Sequence, residues 1–263
     1  MNKTIQQLFD LSGKTALVTG GSRGLGLQLA MALGEAGAKV MLSSRKAQDL
    51  QEAAENMRGA GLDVDWIAAD CANEASTRGL ASEAVQRMGR VDILVNNAGA
   101  AWGAPAEEHP VAAWDKVMNL NVRGYFILSQ EVARLSMIPQ KSGRIINVAS
   151  IAALGGNPAD MTTIAYNTSK GAVLNFTRAL ACEWGKYGIT VNTICPGFFP
   201  SKMSEGLFQQ MGEERLAARA PLGRLGGDND LKGACVLYAS EAGRHITGQW
   251  LAVDGGVSVI AVA

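Results

Sequence analysis

Short apolar runs recur along the chain, each followed by a longer stretch in which apolar positions return every three or four residues. The short runs predict strands at Thr15–Thr19, Lys39–Ser43, Val64–Ala68, Ile93–Asn96, Arg144–Ala149, Thr190–Cys195 and Trp250–Val253. Several, such as Ala16-Leu17-Val18 and Ile93-Leu94-Val95, are apolar at consecutive rather than alternate positions. That is the pattern of strands covered on both faces of a parallel sheet. Helical spacing runs through Leu25–Ala36, Lys46–Ala60, Ala75–Met88, Val111–Met137, Ile164–Tyr187 and Leu231–Ala239. Strand and helix in alternation predict an α/β fold: one doubly wound domain over residues 1–263, with a seven-stranded parallel sheet, helices on both faces and a core from 13 to 256.

Ligands of such sheets gather at the carboxyl ends of the strands. Two irregular segments leave strand ends there. Gly155–Thr163 carries Gly-Gly, Pro and Asp before a helix, and Phe198–Ala220 follows a Pro-Gly turn. Both read as pocket walls, the second as a lid over about residues 198–220; the alternative is a pair of plain surface loops.

Charge narrows the partners. The 24 Lys and Arg balance 24 Asp and Glu with no cationic run, which argues against nucleic acid or an anionic membrane and leaves a small molecule. No segment reaches the roughly 18 apolar residues of a membrane span, and Met1–Asp10 lacks the apolar centre of a secretion signal, so a cytoplasmic protein is expected. Cysteines at 71, 182, 195 and 235 form no C-x-x-C pair and only two histidines, His109 and His245, accompany them; no metal site is expected.

The first strand runs into Thr19-Gly20-Gly21-Ser22-Arg23-Gly24-Leu25-Gly26 and then a helix. Glycines at 20, 24 and 26 allow a sharp turn and close backbone approach to a pyrophosphate held at a helix N-terminus. The spacing is G-x-x-x-G-x-G rather than G-x-G-x-x-G. The same residues also satisfy G-x-S-x-G, the nucleophile elbow of α/β-hydrolases, with Ser22 as nucleophile. A hydrolase further needs a histidine partner and an upstream oxyanion loop, and only one strand precedes Ser22. The second strand ends Ser43-Ser44-Arg45-Lys46 with no carboxylate until Asp49. Arg45 and Arg23, with Ser44 as donor, suit a 2′-phosphate, favouring NADP(H) over NAD(H).

Asn96-Asn97-Ala98-Gly99 ends the fourth strand and Tyr166-Asn167-Thr168-Ser169-Lys170 opens a helix. With the glycine loop, these resemble the short-chain dehydrogenase/reductase family in its classical subgroup, from Gly13 to Gly256. The resemblance implies a Rossmann-type fold and hydride transfer between nicotinamide and a carbonyl or alcohol carbon. Tyr166 and Lys170, at i and i+4, share a helix face, and a nearby ammonium is expected to lower the phenol pKa from its usual value near 10. The family pattern makes Tyr166 the acid and base, Ser150 the group that polarises the substrate oxygen, and Lys170 a second holder of the nicotinamide ribose. Asn121, in Asn121-Val122-Arg123-Gly124, matches the helix Asn that holds a relay water; Asn119, two residues earlier, is out of register. Further cofactor contacts carry over to Leu25, Asp70, Cys71, Asn97, Ala98, Gly99, Pro196, Gly197, Phe199 and Ser201, the last standing where the family usually has Thr.

Ile151–Ala165 and Ser201–Ala220 are expected to line the substrate pocket, made partly apolar by Leu154, Met161, Phe198, Met203, Leu207 and Phe208. The substrate implied first is a 3-oxoacyl thioester or related ketone; a sugar or polyol, as for a gluconate 5-dehydrogenase, stands close behind. The family also implies a homotetramer packed through the helices near Val111–Met137 and Ile164–Tyr187.

Overall fold

The computed structural model describes residues 2–260. Its strands are β1 (Thr15–Thr19), β2 (Lys39–Ser44), β3 (Val64–Ala68), β4 (Ile93–Asn96), β5 (Gly143–Val148), β6 (Ile189–Pro196) and β7 (Trp250–Val253). All pair in parallel, in the order β3-β2-β1-β4-β5-β6-β7. The chain winds outward from β1 to β3, then returns to β4 on the other side of β1. That reversal opens a crevice above the ends of β1 and β4, where ligands of doubly wound sheets bind.

Successive strand residues serve opposite faces. Ala16 and Val18 of β1 join Val40, Leu42 and Val95 in the core beneath α2 (Gly24–Glu35), α3 (Ala47–Gly59) and α11 (Lys232–Ala239). Leu17, Met41, Leu94 and Ile145 point the other way. They pack under α4 (Glu74–Met88), α6 (Tyr125–Val132) and α8 (Ile164–Trp184). A fully buried polar chain ties the central strands to that second layer. Asn96 Nδ2 donates to Ser129 Oγ (2.9 Å) and Asn147 Oδ1 (2.8 Å), and Asn147 Nδ2 donates to Thr177 Oγ1 (2.9 Å). Because buried amides are costly unless paired, this chain penalises any slip of register just below the site.

Three departures from the sequence reading bear on function. The helical stretch Val111–Met137 is not one helix: α5 (Val111–Met118) widens into a π-helical turn at Asn119–Gly124 before α6, and again at Ala133–Met137 before the short α7 (Ile138–Gln140). At Gly124 a Cβ would lie 2.5 Å from the Cys71 carbonyl oxygen, so the helix can press on the β3–α4 loop only through glycine. The lid segment folds into two short helices, α9 (Glu205–Met211) and α10 (Glu213–Ala218), separated by Gly212 at φ +80°. A further helix, α1 (Ile5–Phe9), buries none of its residues and so leaves no apolar stripe to read; a capping box between Thr4 and Gln7 opens it. Among the described residues no helix is long and apolar enough to cross a membrane, and no cluster of His, Cys, Asp and Glu has metal-binding geometry.

Candidate active site

The glycine loop is compressed against the end of β4. Gly20 adopts φ +65°, and a Cβ there would stand 2.7 Å from Asn97 Nδ2. At Gly26 a Cβ would be 2.2 Å from the Gly20 carbonyl oxygen, which backbone cannot yield. Thr19 Oγ1 accepts from the N–H groups of Asn97 (3.0 Å) and Ala98 (3.1 Å), while Asn97 Nδ2 donates to Thr19 O at 2.9 Å. These contacts bring the N-terminus of α2, the loop and the Asn97–Gly99 turn to one cleft.

That cleft is a cavity of about 460 Å³ lined by Gly20, Ser22, Arg23, Gly24, Leu25, Gly26, Ser44, Arg45, Asp70, Cys71, Asn97, Ala98, Gly99, Tyr166, Lys170 and Ser201. Lys46, Asp49, Ala101 and Lys202, not foreseen as cofactor contacts, also line it, as does Met203, which was expected in the substrate pocket. At its β2 end Arg23 pairs with Asp49 (3.1 Å), so this arginine already has an acidic partner; Arg45 and Lys46 are exposed. Three cations face one carboxylate there. Ser44 Oγ is buried without a hydrogen-bond partner in the protein and is placed to serve an added acceptor. Burial, reinforced by neighbouring Asp70, pushes the Cys71 thiol up to about 12, so Cys71 is a wall and not a nucleophile. No histidine lines this cavity, and His109 instead sets its Nδ1 3.2 Å from the Pro110 carbonyl oxygen, so Ser22 lacks the base a hydrolase needs.

A second cavity, of about 980 Å³, lies beside the first. Ser150, Leu154, Met161, Phe198, Met203, Leu207 and Phe208 line it, with Pro196, Gly197 and Phe199. The Pro196–Phe199 turn therefore borders the larger cavity and not the smaller one. A Cβ on Gly197 would stand 2.7 Å from Asp254 Cα, which seats the turn against the end of β7. The Phe199 ring is buried core, so tightly covered by Gly226 that a Cβ there would lie 2.3 Å away, and its carbonyl oxygen accepts from Ser204 Oγ at 2.8 Å. Asn157 and Arg219, within the two segments expected to wall the pocket, also line this cavity, as do Trp102 and the final stretch at Val257, Ser258 and Ile260, which were not foreseen.

The cavities share Leu25, Ala101, Ala149, Tyr166, Ser201 and Met203, which puts the half-buried Tyr166 at their junction. The Ser150 side chain lies beside the Tyr166 hydroxyl, where it favours the charged form of the phenol. Ser150 is held in extended backbone just past β5, its Oγ accepting from Ala152 N at 3.2 Å. One helical turn on, the buried Lys170 Nζ donates to Val148 O at 2.8 Å and lies 5.6 Å from the Tyr166 ring centroid. Burial brings Lys170 down to about 8. Tyr166 is displaced upward from 10: burial outweighs the neighbouring Ser150 hydroxyl, which pulls the other way. The expected lowering of the phenol by the ammonium is thus not met in the protein alone, because the protein packed around the hydroxyl disfavours its charged form more than its neighbours favour it.

Asn121 is fully buried in the wide turn of the α5–α6 helix. Its Oδ1 accepts from Ala100 N (2.8 Å), and its Nδ2 donates to Ala100 O and Ser169 Oγ (both 2.9 Å). Ser169 Oγ in turn donates to the Tyr166 carbonyl at 2.8 Å. Asn119 faces elsewhere, donating to Ala72 O at 2.9 Å, as its register requires.

Comparisons with known proteins place this geometry. A family profile described as short chain dehydrogenase matches residues 14–212. A gluconate 5-dehydrogenase of Gluconobacter oxydans is 40% identical over 255 residues, 96% of this chain and 97% of its own length. A 3-oxoacyl-acyl-carrier-protein reductase of rhamnolipids biosynthesis from Pseudomonas aeruginosa is 39% identical over 252 residues, 94% and 97% of the two chains. The crystal structure of a gluconate 5-dehydrogenase from Burkholderia cenocepacia J2315, in complex with NADP and tartrate, superimposes with a TM-score of 0.92 at 36% identity. The match covers 98% of this chain and 100% of that one.

Proposed function

The chain belongs to the short chain dehydrogenase family of oxidoreductases, and on that premise we propose that it interconverts a ketone and a secondary alcohol with NADP(H), Tyr166 exchanging the proton. The observation that carries this reading is the position of Tyr166 where the two cavities meet, with Ser150 and Lys170 beside it.

The smaller cavity fits the nucleotide. Its floor lies where Gly20 and Gly26 leave no room for a Cβ, its far end is cationic, and Ser44 Oγ awaits an acceptor. Gly20–Gly26 and the start of α2 would hold the pyrophosphate, Arg45 and Ser44 the 2′-phosphate, and Lys170 the nicotinamide ribose. When bound there, NADPH supplies the hydride.

In reduction the substrate oxygen lies against Ser150 Oγ and the Tyr166 hydroxyl. As carbon gains hydride, the oxygen gains charge, and the Ser150 hydroxyl donates to it. Tyr166 then gives up its proton, completing C=O plus hydride plus proton to CH–OH. Its raised pKa keeps it a phenol at neutral pH, the form that can donate. The phenolate left behind is stabilised by Lys170, whose own value near 8 keeps it largely charged at pH 7. The Asn121 side chain is committed to Ala100 and Ser169, so it fixes the turn after β4 and the start of α8, beside which the family resemblance puts a relay water.

The same chemistry serves both substrate classes named among the relatives, 3-oxoacyl thioesters and sugar acids. Exposed Val111, Phe126 and Ile164 on the long helices, and Trp250 and Leu251 on edge strand β7, support a homotetramer. A cytoplasmic location accords with the unpaired cysteines. Nicotinamide fluorescence on titration with NADPH and NADH, followed by absorbance at 340 nm on adding ketones, tests the reading. NADPH binding with turnover supports it; failure to bind either nucleotide refutes it.

A further inference from the structure

We propose that Arg219 is the specificity residue of the larger cavity and that the substrate carries a carboxylate; this rests on the oxidoreductase reading above. Arg219 follows α10 directly and lines the cavity that holds Ser150 and Tyr166. The other charged residue in that lining is Asp160, 3.5 Å from the Arg219 guanidinium. Leu154, Met161, Leu207 and Phe208 line the same cavity and offer a ligand no charge of their own.

The guanidinium is poorly served by the protein. It has five N–H donors, and among the described residues its recorded acceptors are Met161 Sδ at 3.3 Å and Asp160 Oδ2 at 3.5 Å. A thioether is a weak acceptor, and 3.5 Å is long beside the roughly 2.7–2.9 Å of a good charge-assisted contact. Its side chain is 26% exposed and lines the cavity, so part of the fork is open to a ligand.

Asp160 does not depend on Arg219. Arg215, on the outer side of α10, reaches the same Asp160 Oδ2 at 3.4 Å. Two cations therefore share one anion, and the cluster carries one net positive charge at the cavity wall. A carboxylate entering the cavity takes the Arg219 fork in bidentate fashion while Asp160 keeps Arg215, so no charge is left unpaired. A neutral acyl chain would leave that fork as it is. The competing role is mechanical: the Asp160–Arg219 pair links the loop before α8 to the lid.

The test measures NADPH oxidation with 4- to 6-carbon oxo acids, their methyl esters and simple neutral ketones, using wild type, Arg219→Met, Arg219→Lys and Arg215→Met. Wild type should prefer each acid to its ester. Arg219→Met should lower kcat/KM for the acids by about 30-fold or more, mostly through KM, while neutral ketones stay within about twofold. Arg219→Lys should restore part of the loss, and Arg215→Met, which leaves Asp160 to Arg219 alone, should weaken the acid preference while neutral ketones stay within about twofold. An equal fall on acids and neutral ketones would assign Arg219 to the mechanical link, and a wild type indifferent between acid and ester would overturn the carboxylate; either result leaves the oxidoreductase reading standing, whereas that reading itself fails if no carbonyl compound of either kind supports NADPH oxidation.

Discussion

The Lys170 ammonium donates to the Val148 carbonyl at 2.8 Å, fastening the first turns of α8 to the end of β5 and hence to Ser150. The contact is buried, and it explains how Lys170 can sit near a pKa of 8 and still be held in place. A single carbonyl offsets part of the desolvation of an ammonium and leaves the remainder as a downward shift.

That shift has a consequence for stability. Unfolded, the lysine titrates near its reference value of 10.5; folded, near 8. Below pH 8 both states hold the proton and the folded chain bears the full cost of burying the charge. Between pH 8 and 10.5 the unfolded chain binds more protons, so the share of stability due to this group rises with pH and is complete above 10.5. Urea midpoints of the nucleotide-free protein at pH 7.5 and 10 should show wild type gaining on Lys170→Met by on the order of 2 kcal/mol. Parallel pH curves for the two proteins would show that the ammonium is not buried as described.

Gly26→Ala should cripple nucleotide binding. The added methyl meets the Gly20 carbonyl at 2.2 Å and Asn97 Nδ2 at 2.4 Å, so the loop itself must move. A loss of about 1–3 kcal/mol in stability is expected from such crowding, with NADPH affinity falling at least tenfold. Fluorescence titration and thermal unfolding read the two effects, and an unchanged affinity would mean the loop does not cradle the pyrophosphate.

Arg45→Ala should separate the two nucleotides. Arg45 is exposed at the cationic end of the smaller cavity, whereas Arg23 is already engaged by Asp49. NADPH affinity should drop about tenfold while NADH affinity stays within about twofold, since only the former carries the extra phosphate. An equal drop for both would move the 2′-phosphate contact away from Arg45.

Much of this arrangement was legible before the fold was seen, and the reasons are local. Thr15–Thr19 is apolar on both sides because the sheet is covered on both faces; Tyr166 and Lys170 declare themselves by a spacing of one helical turn. Gly124, three residues after Asn121, fixes the choice over Asn119 because only glycine can approach the Cys71 carbonyl. What stayed hidden depends on contacts distant in sequence. The wide turn that holds Asn121 keeps the apolar rhythm of a helix, so Val111–Met137 reads as continuous. Arg219 meets Met161 and Asp160 across 58 and 59 positions, and nothing near it in the chain announces the pairing. The direction of the Tyr166 shift depends on how far protein closes around the hydroxyl, which no spacing rule contains.

The central claim is that Tyr166 gives the proton at the junction of the two cavities, and Tyr166→Phe tests it most directly. The substitution removes one oxygen and keeps the ring that walls both cavities. NADPH titration should give an affinity within about threefold of wild type, while NADPH oxidation with a ketone that the wild type reduces should fall by about 10³-fold or more. Retained turnover in Tyr166→Phe would show that the proton comes from elsewhere and would contradict the account.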